Sequence, residues 1–296
     1  MVYTFANSIR TEHPVKQICK VLNINRSCFY EWSKKSTYQT KAENKTMEQK
    51  IITVFKEHKQ RYGSRRIVAE LANQDVHVSP YKVRKCLYNN GLKAIQPRSF
   101  VPKTTNSRHP YAISPNHLKT MAFPEAINKV WVGDITYIPL VEGKFCYMSA
   151  WMDLCSRKIV GWDLQDHMRE SLVTVSLRKA LKTRAVKPGL MSHSDRGGQY
   201  AGSIFRQLLQ CNELVQSMSD ADNPYDNAHM ESFFSRFKAE LMEGGAFQTI
   251  EDAHTEIFEY IEMYYNRLRL HSSIDYMSPE NFEKKLSLNN DKTNGK

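Results

Sequence analysis

The stretch Val130-Trp-Val-Gly-Asp-Ile-Thr-Tyr-Ile138 decides the fold. β-Branched and aromatic residues fill it, which is the composition of a strand. One carboxylate, Asp134, interrupts it. An acid in so apolar a run is costly to bury unless it is paired or binds a metal, so Asp134 reads as a candidate functional group. Gly133 beside it is expected to clear space for close approach of backbone or substrate.

Working outward, the residues downstream continue the strand pattern. Gly143-Lys144 marks a turn, FCYMSAWMDLCSR (145–157) a second strand and KIVGWDL (158–164) a third. A helix follows over about 170–184, then a strand through GLMSHSD (189–195), a helix over about 202–211, a short strand at VQSMS (215–219) and a helix carrying Glu231. Three strands followed by helix, strand, helix, strand, helix predict an α/β fold with a mixed sheet. A further helix over 249–266 has apolar residues at 250, 253, 257, 261 and 264, with Thr249 as its cap.

Two more acids stand in distinctive settings. Asp195 in HSDRGGQY closes a strand and precedes Gly197-Gly198, so it is expected at the carboxyl edge of the sheet, where sites of α/β folds tend to lie. Glu231 in DNAHMESFF follows Asn227 by four residues and precedes Lys238 by seven, which places the three on one helical stripe. Phe234, Phe237 and Leu241 form a separate apolar stripe that turns Glu231 toward the strand ends. Asp134 and Asp195 are 61 positions apart, and 35 residues lie between Asp195 and Glu231. Each acid alone also has a plainer reading, as a strand terminus, a turn former or a solvated helix residue. Lys238 reads equally as a phosphate grip or as a salt-bridge partner.

The front of the chain is different. Net charge is +11, with 42 Lys and Arg against 31 Asp and Glu. Residues 1–110 hold 21 of those bases and only 7 of the acids, so all of the net positive charge lies there. A basic front half joined to a near-neutral remainder suggests a part that holds a polyanion and a part that acts on it.

Residues 14–35 give a helix with Ile18, Val21 and Leu22 inward, an Asn-Ile-Asn break and a second helix with Phe29, Tyr30 and Trp32. This is helix-turn-helix spacing, and Arg26 opens the second helix. From Met47 the helical period returns, through RYGSRRIVAEL (61–71) to a helix opened by Ser79-Pro80 and closed by Asn90-Gly91. Arg65, Arg66, Arg84 and Lys85 are expected on its surface. Five of the eleven prolines fall in 96–124, which reads as an extended basic linker. The division expected is 1–40, 45–95, 96–125, 126–245 and 246–296, with a disordered end from Ser287. The six cysteines show no zinc spacing and read as reduced thiols. No membrane span or secretory signal is visible, so a cytoplasmic chain is expected.

RYGSRRI, WVGDITYI, HSDRGGQY, DNAHMESFFSRFKAE and YYNRLRLHSSIDYMSPENF, in that order, resemble the DDE transposases of bacterial insertion sequences. The likeness is to the second-frame product of the third insertion-sequence family, whose core is similar to retroviral integrase. It implies an RNase H-like core behind small all-α modules, and Asp134, Asp195 and Glu231 as catalytic residues and metal ligands. It also implies two Mg²⁺ ions, replaceable by Mn²⁺, and matches Lys238 to the family's basic residue; together with Lys238, the residues Asn227, Arg65, Arg66, Arg84, Lys85 and Arg26 are the expected DNA contacts. The expected partners are element ends and target DNA, a second copy at least, and an upstream-frame protein. The bacterial nucleoid is the expected place of action. A DNA-binding regulator without catalysis, or a hydrolytic nuclease of the same fold, is the alternative. The tail motif has no role that the sequence alone supplies.

Overall fold

The computed structural model describes residues 1–34, 42–97, 112–220, 227–242 and 245–294. At its centre is a five-stranded sheet of order β3-β2-β1-β4-β5. Its strands are β1 (Val130–Pro139), β2 (Phe145–Asp153), β3 (Ile159–Gln165), β4 (Met191–Ser194) and β5 (Val215–Met218). β1 runs antiparallel to β2, and β2 to β3, as hairpin-length connections require. β4 and β5 join parallel to β1 through helical crossovers. This is the mixed α/β arrangement expected of an RNase H-like core.

Helices cover both faces. Trp131, Trp151 and Val160 point toward α7 (Glu170–Thr183), the single turn α8 (Gly198–Ala201) and α9 (Ser203–Cys211), packing on Val173, Leu177, Tyr200 and Phe205. Alternation along β1 and β2 sends Val130, Val132, Met148 and Ala150 to the other face. There they meet Met230, Phe233, Phe234 and Phe237 of α10 (Ala228–Met242), and Ala253 and Ile257 of α11 (Ile250–Phe258). Thr249 caps α11 as expected, accepting from the Asp252 amide at 3.1 Å.

The helix does not stay regular to Asn266. Over Glu259–Tyr265 it widens into a π-helix, a form often found where a helix serves a special position. The extra residue brings Tyr260, Ile261 and Tyr265 onto the core beneath the sheet. Tyr264 then lies between that core and a second one.

The second core belongs to α4 (Ala42–Glu57), α5 (Ser64–Ala72) and α6 (Pro80–Asn89), built on Ile51, Phe55, Tyr62, Ile67, Leu71 and Val83. The Ser79 hydroxyl accepts from the Lys82 amide, and Gly91 takes φ +65°, so both ends of α6 form as the sequence indicates. A third small core joins α1 (Val2–Ser8), α2 (Val15–Val21) and α3 (Arg26–Ser33) through Ala6, Ile18, Cys19 and Phe29. Asn25 caps α3.

Three expectations need correcting here. Val21 is 82% exposed, because α1, unseen in the sequence, occupies the apolar side of α2 and leaves Val21 outside. The supposed linker is only partly extended. Residues 98–111 lie outside the described residues, but 112–124 pack on the core, where Ser114 bonds Gln216 and the Ser217 hydroxyl accepts from the His117 amide. The end from Ser287 is helical through Asn294, within α12 (Pro279–Asn294). Its earlier turns are tied down by Glu283, which takes two bonds from Arg184 at 2.7 and 2.9 Å and one from Ser156, and a helix propagates readily from an anchored turn.

All six cysteines are free; Cys28 and Cys211 are exposed and the other four are buried. No helix among the described residues is long and apolar enough to cross a membrane.

Candidate active site

β1 and β4 pair in parallel, with Val132 beside His193. Continuing that register by two residues sets Asp134, midway along β1, level with Asp195, just past the end of β4. Same-face alternation from Val132 turns Asp134 toward α10. α10 lies against β1 on that face, and Glu231 stands in its first turn.

The electrostatics agree with this convergence. The Asp134 carboxyl is pushed well above the ordinary carboxylate range, first by burial, then by the Asp195 charge and, more weakly, by Glu231. The Ile135 amide, which donates to Asp134 Oδ1 at 2.8 Å, and the nearby Lys238 charge act in the opposite direction. Burial also raises Glu231. Asp195 Oδ1 accepts from the Gly197 amide at 3.0 Å, so the turn after β4 orients that carboxylate. Among the described residues, no three His, Cys, Asp or Glu side chains are grouped so that they could hold a metal ion.

Lys238 is two turns along α10 from Glu231. Its ammonium lies over the Tyr137 ring, 4.8 Å from the centroid, where burial lowers its pKa and Asp134 opposes that shift.

Other candidates lie elsewhere or do something else. Asn227 is only 7% exposed, and its Nδ2 donates to the Gly133 carbonyl at 3.3 Å. It is therefore no surface contact: it ties the start of α10 to β1, one turn before Glu231. Gly133 itself makes room for the indole opposite it and not for substrate. A Cβ there would sit 2.5 Å from the Trp151 ring.

Arg66 is also corrected. Its Nε donates to the Leu270 carbonyl at 2.9 Å, and its guanidinium lies near the Tyr62 ring, so it faces the tail motif. Arg26, Arg65, Arg84 and Lys85 are exposed, as expected. Tyr81 and Tyr88, 65% and 84% exposed, flank the last two on α6. Nothing in the sequence separates these tyrosines from core residues except their helical phase relative to Val83 and Leu87.

One group near the acids escaped sequence reasoning. Tyr200 is fully buried among the α7-side residues, and its hydroxyl is held far above the usual phenol range by burial, Asp134 and Asp195. Its position in HSDRGGQY was the only signal available.

Against this geometry, the integrase core domain family matches residues 124–224, a second integrase core domain model matches 231–286, and an HTH-like domain matches 41–100. The transposase for insertion sequence element IS904 of Lactococcus lactis subsp. lactis (strain IL1403) is 41% identical over 242 residues, covering 82% of this chain and 95% of that protein. Transposase InsF for insertion sequence IS3A of Escherichia coli (strain K12) is 34% identical over 287 residues, covering 96% and 99%. The catalytic core domain of BIV integrase is 14% identical, with a TM-score of 0.42, and covers 55% of this chain and 98% of that one, a likeness too distant to carry weight. With two insertion-sequence transposases alike over nearly their whole lengths, and an HTH-like region ahead of an integrase core, the chain belongs to the IS3-family transposases.

Proposed function

We propose that this chain cuts DNA at the ends of an insertion sequence and joins those ends to target DNA, by direct phosphoryl transfer at Asp134, Asp195 and Glu231. The observation that carries this reading is the placement of the three acids: Asp134 within β1 and Asp195 just past β4 stand level in parallel register, Glu231 lies in the first turn of the helix packed on that face, and burial, with the charges of Asp195 and Glu231 added, raises the Asp134 carboxyl. Anions held together at such a cost suit a hard divalent cation, which takes oxygen ligands and relieves their repulsion. Asp134, Asp195 and Glu231 would hold two Mg²⁺ ions, with Mn²⁺ able to replace them. Divalent ions in such a site stabilise the attacking and leaving oxygens of an in-line displacement.

The chain's own residues do the rest. The Ile135 and Gly197 amides each fix one oxygen of an aspartate and so orient the two carboxylates. Asn227 holds the start of α10 against β1, so Glu231 keeps its distance from Asp134. Lys238, steadied by Tyr137, meets a phosphate of the bound strand. Water is the first nucleophile and the freed 3′-OH the second, so no tyrosine needs to become covalently attached to DNA. Residues 45–95 form the DNA-holding part, with Arg65, Arg84 and Lys85 toward phosphates, and Arg26 in the front helices adds a further contact. Synapsis of two ends calls for at least two copies. An upstream-frame protein is a further partner, and action at the bacterial nucleoid follows from the substrate.

Incubation with labelled element ends and Mg²⁺ tests the reading. The unaltered protein should give nicked and joined products, while Asp195→Asn binds the ends and gives neither. Nicking without joining would indicate a hydrolytic nuclease. Binding that is indifferent to Mg²⁺, with no cleavage at all, would indicate a regulator.

A further inference from the structure

Two motifs play no part in the chemistry above: RYGSRRI at the head of α5 and the tail stretch around Leu268–His271. They lie about 200 residues apart in sequence and form one seam. The Tyr62 hydroxyl donates to the Leu268 carbonyl at 3.2 Å and accepts from the Leu270 amide at 2.8 Å. Arg66 holds the Leu270 carbonyl, and the Leu270 side chain completes the core of the α4–α6 module. Leu268–Leu270 is thus gripped by the helical module as though it were part of it.

The same seam reaches the catalytic helix. Arg269, between the two gripped residues, makes a two-bond fork to Glu240 of α10, at 2.6 and 2.9 Å, and the Tyr260 hydroxyl donates to the same carboxylate at 2.9 Å. Both members of the pair are nearly fully buried. From the other side, Arg61 Nε donates to the backbone carbonyl of Glu240 at 3.1 Å, while its guanidinium lies 4.6 Å from the Tyr264 ring centroid. That carbonyl is among the last four of α10, which have no partner within the helix. The end of the helix that carries Glu231 and Lys238 is therefore capped by the DNA-holding module itself.

We propose that this seam sets the register between the DNA-holding module and the active-site helix, so that DNA held by one reaches Glu231 at a fixed phosphate. Arg61, Tyr62 and Arg269 are positioning residues acting through α10, and none of them is placed to touch the reacting atoms. The inference rests on the proposed transposition activity. A seam made only for stability would need no contact with the catalytic helix, whereas this one makes three hydrogen bonds to Glu240, one from Arg61 and two from Arg269. A displacement of about 1 Å at a reacting centre costs on the order of 10²-fold in rate, so small losses of register should appear in where the strand is cut.

Two readouts test it on the full chain. Spin labels on exposed Cys211 and on Asn89→Cys at the end of α6, in a Cys28→Ser background, report the distance between module and core without DNA. Labelled element ends with Mg²⁺ report the cut positions, measured in the unsubstituted cysteine background. Tyr62→Phe, which removes only the bridging hydroxyl, and Arg61→Gln should each broaden the distance distribution. They should also spread cleavage onto phosphates neighbouring the parental one, while end binding stays close to the parental affinity. Arg269→Lys, which keeps the charge and loses the fork, should do the same where it folds; the other two variants decide the matter where it does not. An unchanged distance distribution, or lower yield at an unchanged cut position, overturns the proposal. If the parent protein cuts no DNA, the activity assignment fails, and the spin-label distances still decide whether the seam sets the register.

Discussion

Asp134 keeps its proton more strongly than an ordinary aspartate because it is buried beside two other acids. A carboxyl whose pKa is raised on folding adds nothing unfavourable while protonated. It costs stability as pH rises from the unfolded aspartate range through the raised value. Asp134→Asn should therefore melt higher than the parent at pH 7 without divalent ions, by a few degrees, the response to about 1 kcal/mol in a protein of this size. That gap should close below pH ~4, where the parental side chain is neutral in both states. Thermal denaturation across pH measures both. The same ionisation makes strand cleavage rise with pH, since only the anion serves as a ligand. Gly133→Ala at the neighbouring position should destabilise by about 1–3 kcal/mol in urea denaturation, the usual cost of overpacking, because the new methyl meets the Trp151 ring. The three acids were legible from their neighbours. The roles of Gly133 and Asn227 were not, since a glycine opposite an indole and an amide reaching a carbonyl 94 residues away leave no periodic trace.

At the scale of elements, the buried fork between Arg269 and Glu240 is the clearest test of what joins the tail to α10. Burial alone would raise the Glu240 carboxyl, but the bonds and charge of Arg269 outweigh it and hold the group below the ordinary range. Its contribution to stability is thus present above the usual carboxylate range and lost only as pH falls through the lowered value. Arg269→Met, which strands a buried carboxylate, should cost about 3–5 kcal/mol, measured by urea denaturation at neutral pH, with the loss shrinking in acid. Strands and helices of the core could be read from alternation and caps because those signals are local. The seam could not, since its two halves, Tyr62 and Leu270, are 208 residues apart and each looks like an ordinary surface motif by itself.

At the scale of the whole molecule, the basic front half becomes a statement about salt. Arg84→Gln and Lys85→Gln should each lower the slope of log affinity for DNA against log salt by about 0.9, with little effect on melting. Arg66→Gln should leave that slope unchanged and lower the melting temperature instead, because its guanidinium grips Leu270 inside the protein. Filter binding at several salt concentrations, beside thermal melts, separates the two kinds of arginine. Charge counts along the chain pointed to the half proposed to hold DNA but not to which of its cations face outward, because helical phase within α5 and α6 decides that.

The π-helix at Glu259–Tyr265 gives chain length itself a meaning. One additional residue per turn rotates everything beyond it by about 100° relative to a continuous α-helix. That rotation lets Ala253 and Ile257 face the catalytic core while Asn266 pins the edge of β3 through both the amide and the carbonyl of Ile159. Removing any single residue between 259 and 265 would leave composition almost untouched, yet swing Asn266, Arg269 and Leu270 away from partners that were never altered. Insertions and deletions confined to this one turn are therefore expected to be far more damaging than substitutions within it.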